Sequence, residues 1–155
     1  MRAALWALVL GSLVSSSGCD NSAVDPFDSI TVMMDAPSTA AVGESITVTF
    51  AVVNLTDRTV QLELGGPAES AFDVMVSSED GALMWRRHVG PVARPAGRLV
   101  LELYASRMFA TTWDLRDASD RPVPPGTYQI TGILEGVNQV TKTAEPTVRL
   151  TITGS

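Results

Sequence analysis

Residues 46–64 read Ile46-Thr47-Val48-Thr49-Phe50-Ala51-Val52-Val53-Asn54-Leu55-Thr56-Asp57-Arg58-Thr59-Val60-Gln61-Leu62-Glu63-Leu64. Ile46, Val48, Phe50 and Val52 alternate with Ser45, Thr47, Thr49 and Ala51. After the turn-forming residues 54–57, Val60, Leu62 and Leu64 alternate with Thr59, Gln61 and Glu63. A period of two sends neighbouring side chains to opposite faces, so each run predicts a strand with one apolar face. The same period recurs along the chain. Phe72, Val74 and Val76 alternate with Asp73, Met75 and Ser77; Leu99, Leu101 and Leu103 with Val100, Glu102 and Tyr104; Val148, Leu150 and Ile152 with Thr147, Arg149 and Thr151. Gly65-Gly66-Pro67, Glu79-Asp80-Gly81 and Pro122-Val123-Pro124-Pro125-Gly126 supply the turn chemistry between them. No stretch has clear helical spacing and no internal repeat is visible; residues 96–115, where Ala and Leu are frequent, are the least decided. Short strands separated in this way predict an all-β fold over residues 30–155, an immunoglobulin-like antiparallel β-sandwich of about eight strands.

The N-terminus obeys different rules. Met1-Arg2 is followed by an apolar run over residues 3–14 and then by Ser15-Ser16-Ser17-Gly18-Cys19. A basic start, a short apolar stretch and small residues before a cut are the plan of an export signal. The run is shorter than the roughly 20 apolar residues that cross a bilayer. Residues 1–18 are therefore expected to be removed. Ser17-Gly18-Cys19 resembles the lipobox of bacterial lipoproteins, with Ser16 where a leucine is usual. An ordinary signal peptide, cut after the small pair Ser16 and Gly18, is the alternative. It would leave the chain's single cysteine as an unpaired thiol on an exported protein, which is unusual. Lipid on Cys19 is the expectation. Two or more acyl chains, each buried CH₂ contributing about 0.8 kcal/mol, give lasting attachment. Residues 19–29, polar and acidic after the cysteine, read as a lipidated flexible tether.

Removing residues 1–18 from 155 leaves 137, enough for one domain with a real core. Loss of Arg2 takes the formal charge from −6 to −7. An acidic chain whose basic residues are scattered does not suit nucleic acid, and charge does not draw it to anionic lipid. Without a second cysteine there is no intramolecular disulfide, so the core alone must hold the fold.

Three segments, in order, resemble a known family. The first is Thr49-Phe50-Ala51-Val52-Val53-Asn54 followed by the strand of Val60, Leu62 and Leu64. The second is Ala71-Phe72-Asp73-Val74-Met75-Val76, a turn at Gly81, and Met84-Trp85-Arg86. The third is Thr112-Trp113-Asp114, then Pro124-Pro125-Gly126-Thr127-Tyr128, then Thr131-Gly132. Over about residues 44–135 this order resembles the intracellular proteinase inhibitor family of bacilli, the BsuPI-like domain, with Phe72 where that family has Tyr. The resemblance implies an immunoglobulin-like sandwich without catalytic chemistry. It also implies a protein partner, a serine proteinase in the founding member. That partner is cytoplasmic, whereas this chain carries an export signal. No inhibitory residue of the family can be carried across.

Candidate chemistry is sparse. His88 is the only histidine, and Trp85-Arg86-Arg87-His88-Val89-Gly90 does not resemble a nucleophile elbow. A zinc site would need three or four Cys or His ligands. Asp114, Asp117 and Asp120 are dense enough to interest calcium, but Arg116 and Arg121 stand among them. Trp85 and Trp113 are expected in the core. Alternation puts Arg86 outward, as a docking point for an acidic partner or an edge charge that discourages strand pairing. Residues 89–98 contain two Pro and two Gly, and Arg94-Pro95 would resist trypsin-like cutting; a proteinase inhibitor needs such a shaped loop. Residues 65–71 form a second candidate loop.

These readings together predict a non-catalytic lipoprotein of the cell envelope, monomeric and without cofactors. It would be anchored to an inner or outer membrane through Cys19, with Arg86, Arg94 and Pro95 as partner-binding candidates. Proteinase inhibition and a purely structural adaptor role are the two functions weighed.

Overall fold

The computed structural model describes residues 25–88, 96–137, 141–144 and 147–154. Eleven strands lie among the described residues. The core of the first layer is β3, Ile46–Asn54, whose alternate residues are buried as the period of two requires. β1, Ile30–Asp35, runs antiparallel to it, Ile30 opposite Asn54 and Asp35 opposite Thr49. β8, Ser106–Trp113, flanks its other side, Val53 opposite Ser106 and Ile46 opposite Trp113.

The second layer has the order β2-β11-β9-β5-β6: Thr39–Ala41, Val148–Thr153, Gly126–Glu135, Phe72–Ser78 and Leu83–Arg86. β10, Thr141–Thr143, pairs with the far end of β9. Every pairing is antiparallel except β2 with β11. β4, Val60–Leu64, and β7, Gly97–Leu101, form a separate pair, linked to β9 through a Leu64–Gly136 bridge. Two facing antiparallel layers around one core make this an all-β, immunoglobulin-like sandwich, as the alternation predicts. The strand count exceeds the predicted eight because β2, β6 and β10 are too short to show a period.

Aromatic rings mark where the layers meet. Phe50 of β3 lies 4.8 Å from Phe72 of β5, which is 5.5 Å from Phe109 of β8. Phe50 fits because β9 has glycine opposite it: a Cβ on Gly132 would stand 2.6 Å from the Phe50 ring. At the other end, the fully buried Trp113 stacks on the half-buried Trp85 at 5.9 Å and meets Tyr128 at 6.3 Å. Its indole Nε1 donates to the Arg116 carbonyl at 2.8 Å. The Tyr128 hydroxyl reaches back to the Pro124 carbonyl at 2.7 Å, pinning the proline-rich turn, and burial pushes its phenol pKa up.

Three differences from the sequence reading have local causes. Leu103 does not continue the β7 face. The chain turns over residues 102–105, with Tyr104 at φ +53°, and leaves Leu103 exposed. The tether ends earlier than residue 29, because Pro26–Ser29 forms a 3-10 turn capped by Asp25 and buries Phe27. Residues 65–71 are only partly loop, since Ala68–Ala71 forms one helical turn, α1.

Asn54, the last residue of β3, ties that strand to the end of the β4–β7 pair. Its amide donates to the carbonyls of Arg58 (2.7 Å), Leu101 (3.2 Å) and Glu102 (2.8 Å), and its Oδ1 accepts from the Thr56 amide and hydroxyl. The side chain is fully buried. Asn54→Ala strands these groups away from water and should cost about 2 kcal/mol, measured by urea unfolding. A change under about 0.5 kcal/mol, the range of an ordinary surface substitution, would contradict this role.

Candidate functional site

Asp73 is the one buried carboxylate among the described residues. Oδ1 accepts from its neighbour's amide, Val74, at 2.9 Å and from the His88 amide at 3.2 Å. Oδ2 takes the Arg86 Nε. Arg86 Nη2 continues to Glu135 Oε1 at 3.0 Å, so β5, β6 and β9 share one charge network. Beside it, Arg87 donates to the Phe72 carbonyl and lies over the Phe72 ring, 4.4 Å from its centre. Arg87 Nη1 also lies 2.7 Å from His88 Nε2.

Arg86, a partner-binding candidate, is ion-paired with Asp73 and Glu135, and its side chain is 37% exposed. Alternation correctly put Asp73 and Arg86 off the apolar face. It could not reveal that this face is covered too. The His88 backbone amide contacts Asp73 Oδ1. Arg94 and Pro95, like Cys19, lie outside the described residues.

The aspartates at 114, 117 and 120 are occupied by arginine. Asp117 accepts from the Ser119 and Arg121 amides and from the Arg121 guanidinium, at 2.8 to 3.0 Å. Arg116 sits between Asp114 and Asp120, 3.8 Å from each. Among the described residues no group of three or more His, Cys, Asp or Glu is placed to hold a metal ion. The Arg121 amide and guanidinium, then the Ser119 amide, hold the Asp117 carboxyl below its ordinary 3.8. A depressed folded pKa means that the turn's stabilisation is present above the unfolded value and lost as pH falls through the folded one. A carboxyl-carbon NMR titration should therefore place Asp117 below 3.8, and Arg121→Ala should raise it. A midpoint at or above 3.8 in the unaltered protein would contradict the geometry.

Two exposed apolar features remain. Across the outer face of the three-stranded sheet, Met33 is opposite Ala51 and Ala51 is opposite Met108. Met33 and Met108 are 50% and 64% exposed. β8 is an edge strand of that sheet among the described residues. The second feature is Leu55, Leu103 and Tyr104 near the end of β3. The alternation of single strands could not show either one. The first depends on register across three strands, and the second on a turn inside an apparent apolar run.

No family model matches the chain, and no curated protein does. Solved structures with a similar fold include the CARDB domain of PF1109 from Pyrococcus furiosus, 17% identical, covering 80% of this chain and 94% of that one, with a TM-score of 0.42. Spo0M, the sporulation control protein of Bacillus subtilis, is 14% identical over 80% of this chain and 49% of that one, TM-score 0.48. A β-glucosidase of Erythrobacter marinus is 17% identical over 81% of this chain and 15% of that one, TM-score 0.48. Their diversity of function means that these likenesses carry no functional argument.

Proposed function

We propose that this chain is a non-catalytic protein-binding lipoprotein of the cell envelope, held to a membrane by lipid on Cys19. The position of the single cysteine, directly after an export signal and the small pair Ser17-Gly18, is the observation that carries the reading. Cys19→Ala should move the protein from the membrane to the soluble fraction on cell fractionation. Unchanged membrane retention would contradict the anchor. No helix among the described residues is long and apolar enough to cross a membrane.

The resemblance to the BsuPI-like family supports a protein partner, and inhibition of a serine proteinase is the specific form it suggests. The residues carrying that resemblance mostly build the sandwich. Trp85 and Trp113 stack, Arg86 neutralises Asp73, and Tyr128 pins Pro124. They therefore support the fold more than the inhibition. An inhibitor should slow a serine proteinase at stoichiometric concentration and survive uncut; degradation across a panel of such enzymes would end that reading. The Met33–Ala51–Met108 row favours the second form, an adaptor that binds through a sheet face or the β8 edge. In that case Met33→Glu with Met108→Glu should abolish capture of the partner from envelope extract. Undiminished capture would contradict binding at that face.

A further inference from the structure

We infer that the end of the sandwich carrying Leu55, Leu103 and Tyr104 rests on the bilayer that holds the Cys19 lipid, with these side chains seated in its headgroup region. The inference rests on the lipoprotein reading and goes beyond it by fixing which way the domain faces.

Chain geometry brings that end to the membrane. β1 begins where β3 ends, Ile30 opposite Asn54. The 3-10 turn Pro26–Ser29 directly precedes Ile30, with Asp28 N bonded to Asp25 O at 2.9 Å, so Asp25 lies within one turn of that end. Six residue steps separate Cys19 from Asp25, a reach of at most about 21 Å. β3 has nine residues and at roughly 3.4 Å each is nearly 30 Å long. The near end is thus held close to the lipid, and the far end, with the turn at Glu79 and Asp80, points away.

The exposed apolar side chains at that end suit lipid. Leu55 follows Asn54 directly, and Leu103 and Tyr104 lie on the facing turn. The Tyr104 amide bonds to the Thr56 carbonyl at 3.3 Å, and the Asn54 amide to that of Ala105 at 2.9 Å. Leu55, Leu103 and Tyr104 are 64%, 53% and 68% exposed, three of the seven large apolar side chains that are exposed among the described residues. Tyr104 holds φ +53°, a conformation costly for a bulky residue, and does so with its ring in water. Tyrosine is enriched at membrane interfaces, where an apolar ring and a polar hydroxyl are both satisfied. Asp57, Arg58, Glu102 and Arg107 flank these residues, two charges of each sign, with the acidic Asp25 and Asp28 nearby. Attraction to anionic lipid is therefore weak and apolar burial must act, at about tenfold in affinity for each leucine seated.

The test uses the lipidated full chain in vesicles of phosphatidylethanolamine and phosphatidylcholine. The native thiol is acylated, so single cysteines placed by Leu55→Cys, Leu103→Cys or Glu79→Cys can be labelled with a polarity-sensitive fluorophore. Brominated acyl chains should quench the label at 55 and at 103 at least twofold and leave the label at 79 unchanged. In the Leu55→Cys chain, adding Leu103→Asp and Tyr104→Asp should abolish quenching while the protein still sediments with the vesicles. Absence of quenching at 55 and 103 in a chain that sediments would overturn the inference. Protein left in the supernatant would instead overturn the lipoprotein reading, and this inference with it. Because the three side chains are exposed, an unchanged unfolding midpoint is expected for every labelled chain.

Discussion

Arg86→Met should destabilise the domain by about 3 kcal/mol, seen as a lower urea midpoint at unchanged slope. Asp73 is 1% exposed, and Arg86 is the cation bound to its Oδ2. Removing that partner leaves the interior carboxylate with its two amide donors and without the cation on Oδ2. The figure stands at the low end of the range for a broken buried pair, because the Arg86 side chain is itself 37% exposed and water screens part of the interaction. Adding Asp73→Asn to this variant should restore much of the loss. The amide oxygen still accepts from Val74 and His88, and no charge remains to be compensated. A single variant within about 0.5 kcal/mol of the parent would show that the network contributes little.

Trp113→Ala should cost about 3–5 kcal/mol and lower the melting temperature on the order of 10–20 °C. The side chain is fully buried at the end of β8, stacked on Trp85 and edge-on to Tyr128. Truncation opens a cavity between both layers and strips the Arg116 carbonyl of its donor. Trp113→Phe keeps most of the volume and loses that hydrogen bond, so its cost should be smaller, about 1–2 kcal/mol. The exposed Leu83 makes a control: Leu83→Ala should change stability by less than about 0.5 kcal/mol. If Trp113→Ala behaved like Leu83→Ala, the two layers would not meet at this ring.

The sandwich was legible wherever one face of a strand is buried and the other open. β3 and β4 alternate cleanly, and their structure follows. β9 is the longest strand and was recognised only by the turn before it. Its inward positions include Gly132, placed to admit Phe50, and a glycine interrupts the apolar count. β5 hides a different fact. Phe72, Asp73 and Val74 are consecutive and all buried, so the polar member of the alternation is inside as well. The Arg86–Asp73 pairing was illegible for that reason. A period of two distinguishes two faces but does not tell whether the second meets water or protein. The exposed apolar surface was illegible because it is made of register and turn geometry: Met33 and Met108 are 75 positions apart yet lie in one row through Ala51.

The lipoprotein reading and the structure bear on each other at Asp25, which caps the 3-10 turn Pro26–Ser29 that leads into β1 beside the end of β3. On the proposed anchoring at Cys19, the end of the domain nearest the membrane would be fixed, and the turn at Glu79 and the outer sheet face would be open to a protein partner. Mass spectrometry of the N-terminal peptide, from protein purified out of membranes, tests this account most directly. It predicts a chain that begins at Cys19 with the thiol and the new amine carrying lipid. A chain that keeps residues 1–18, or one that begins near residue 19 with a free thiol, would contradict it.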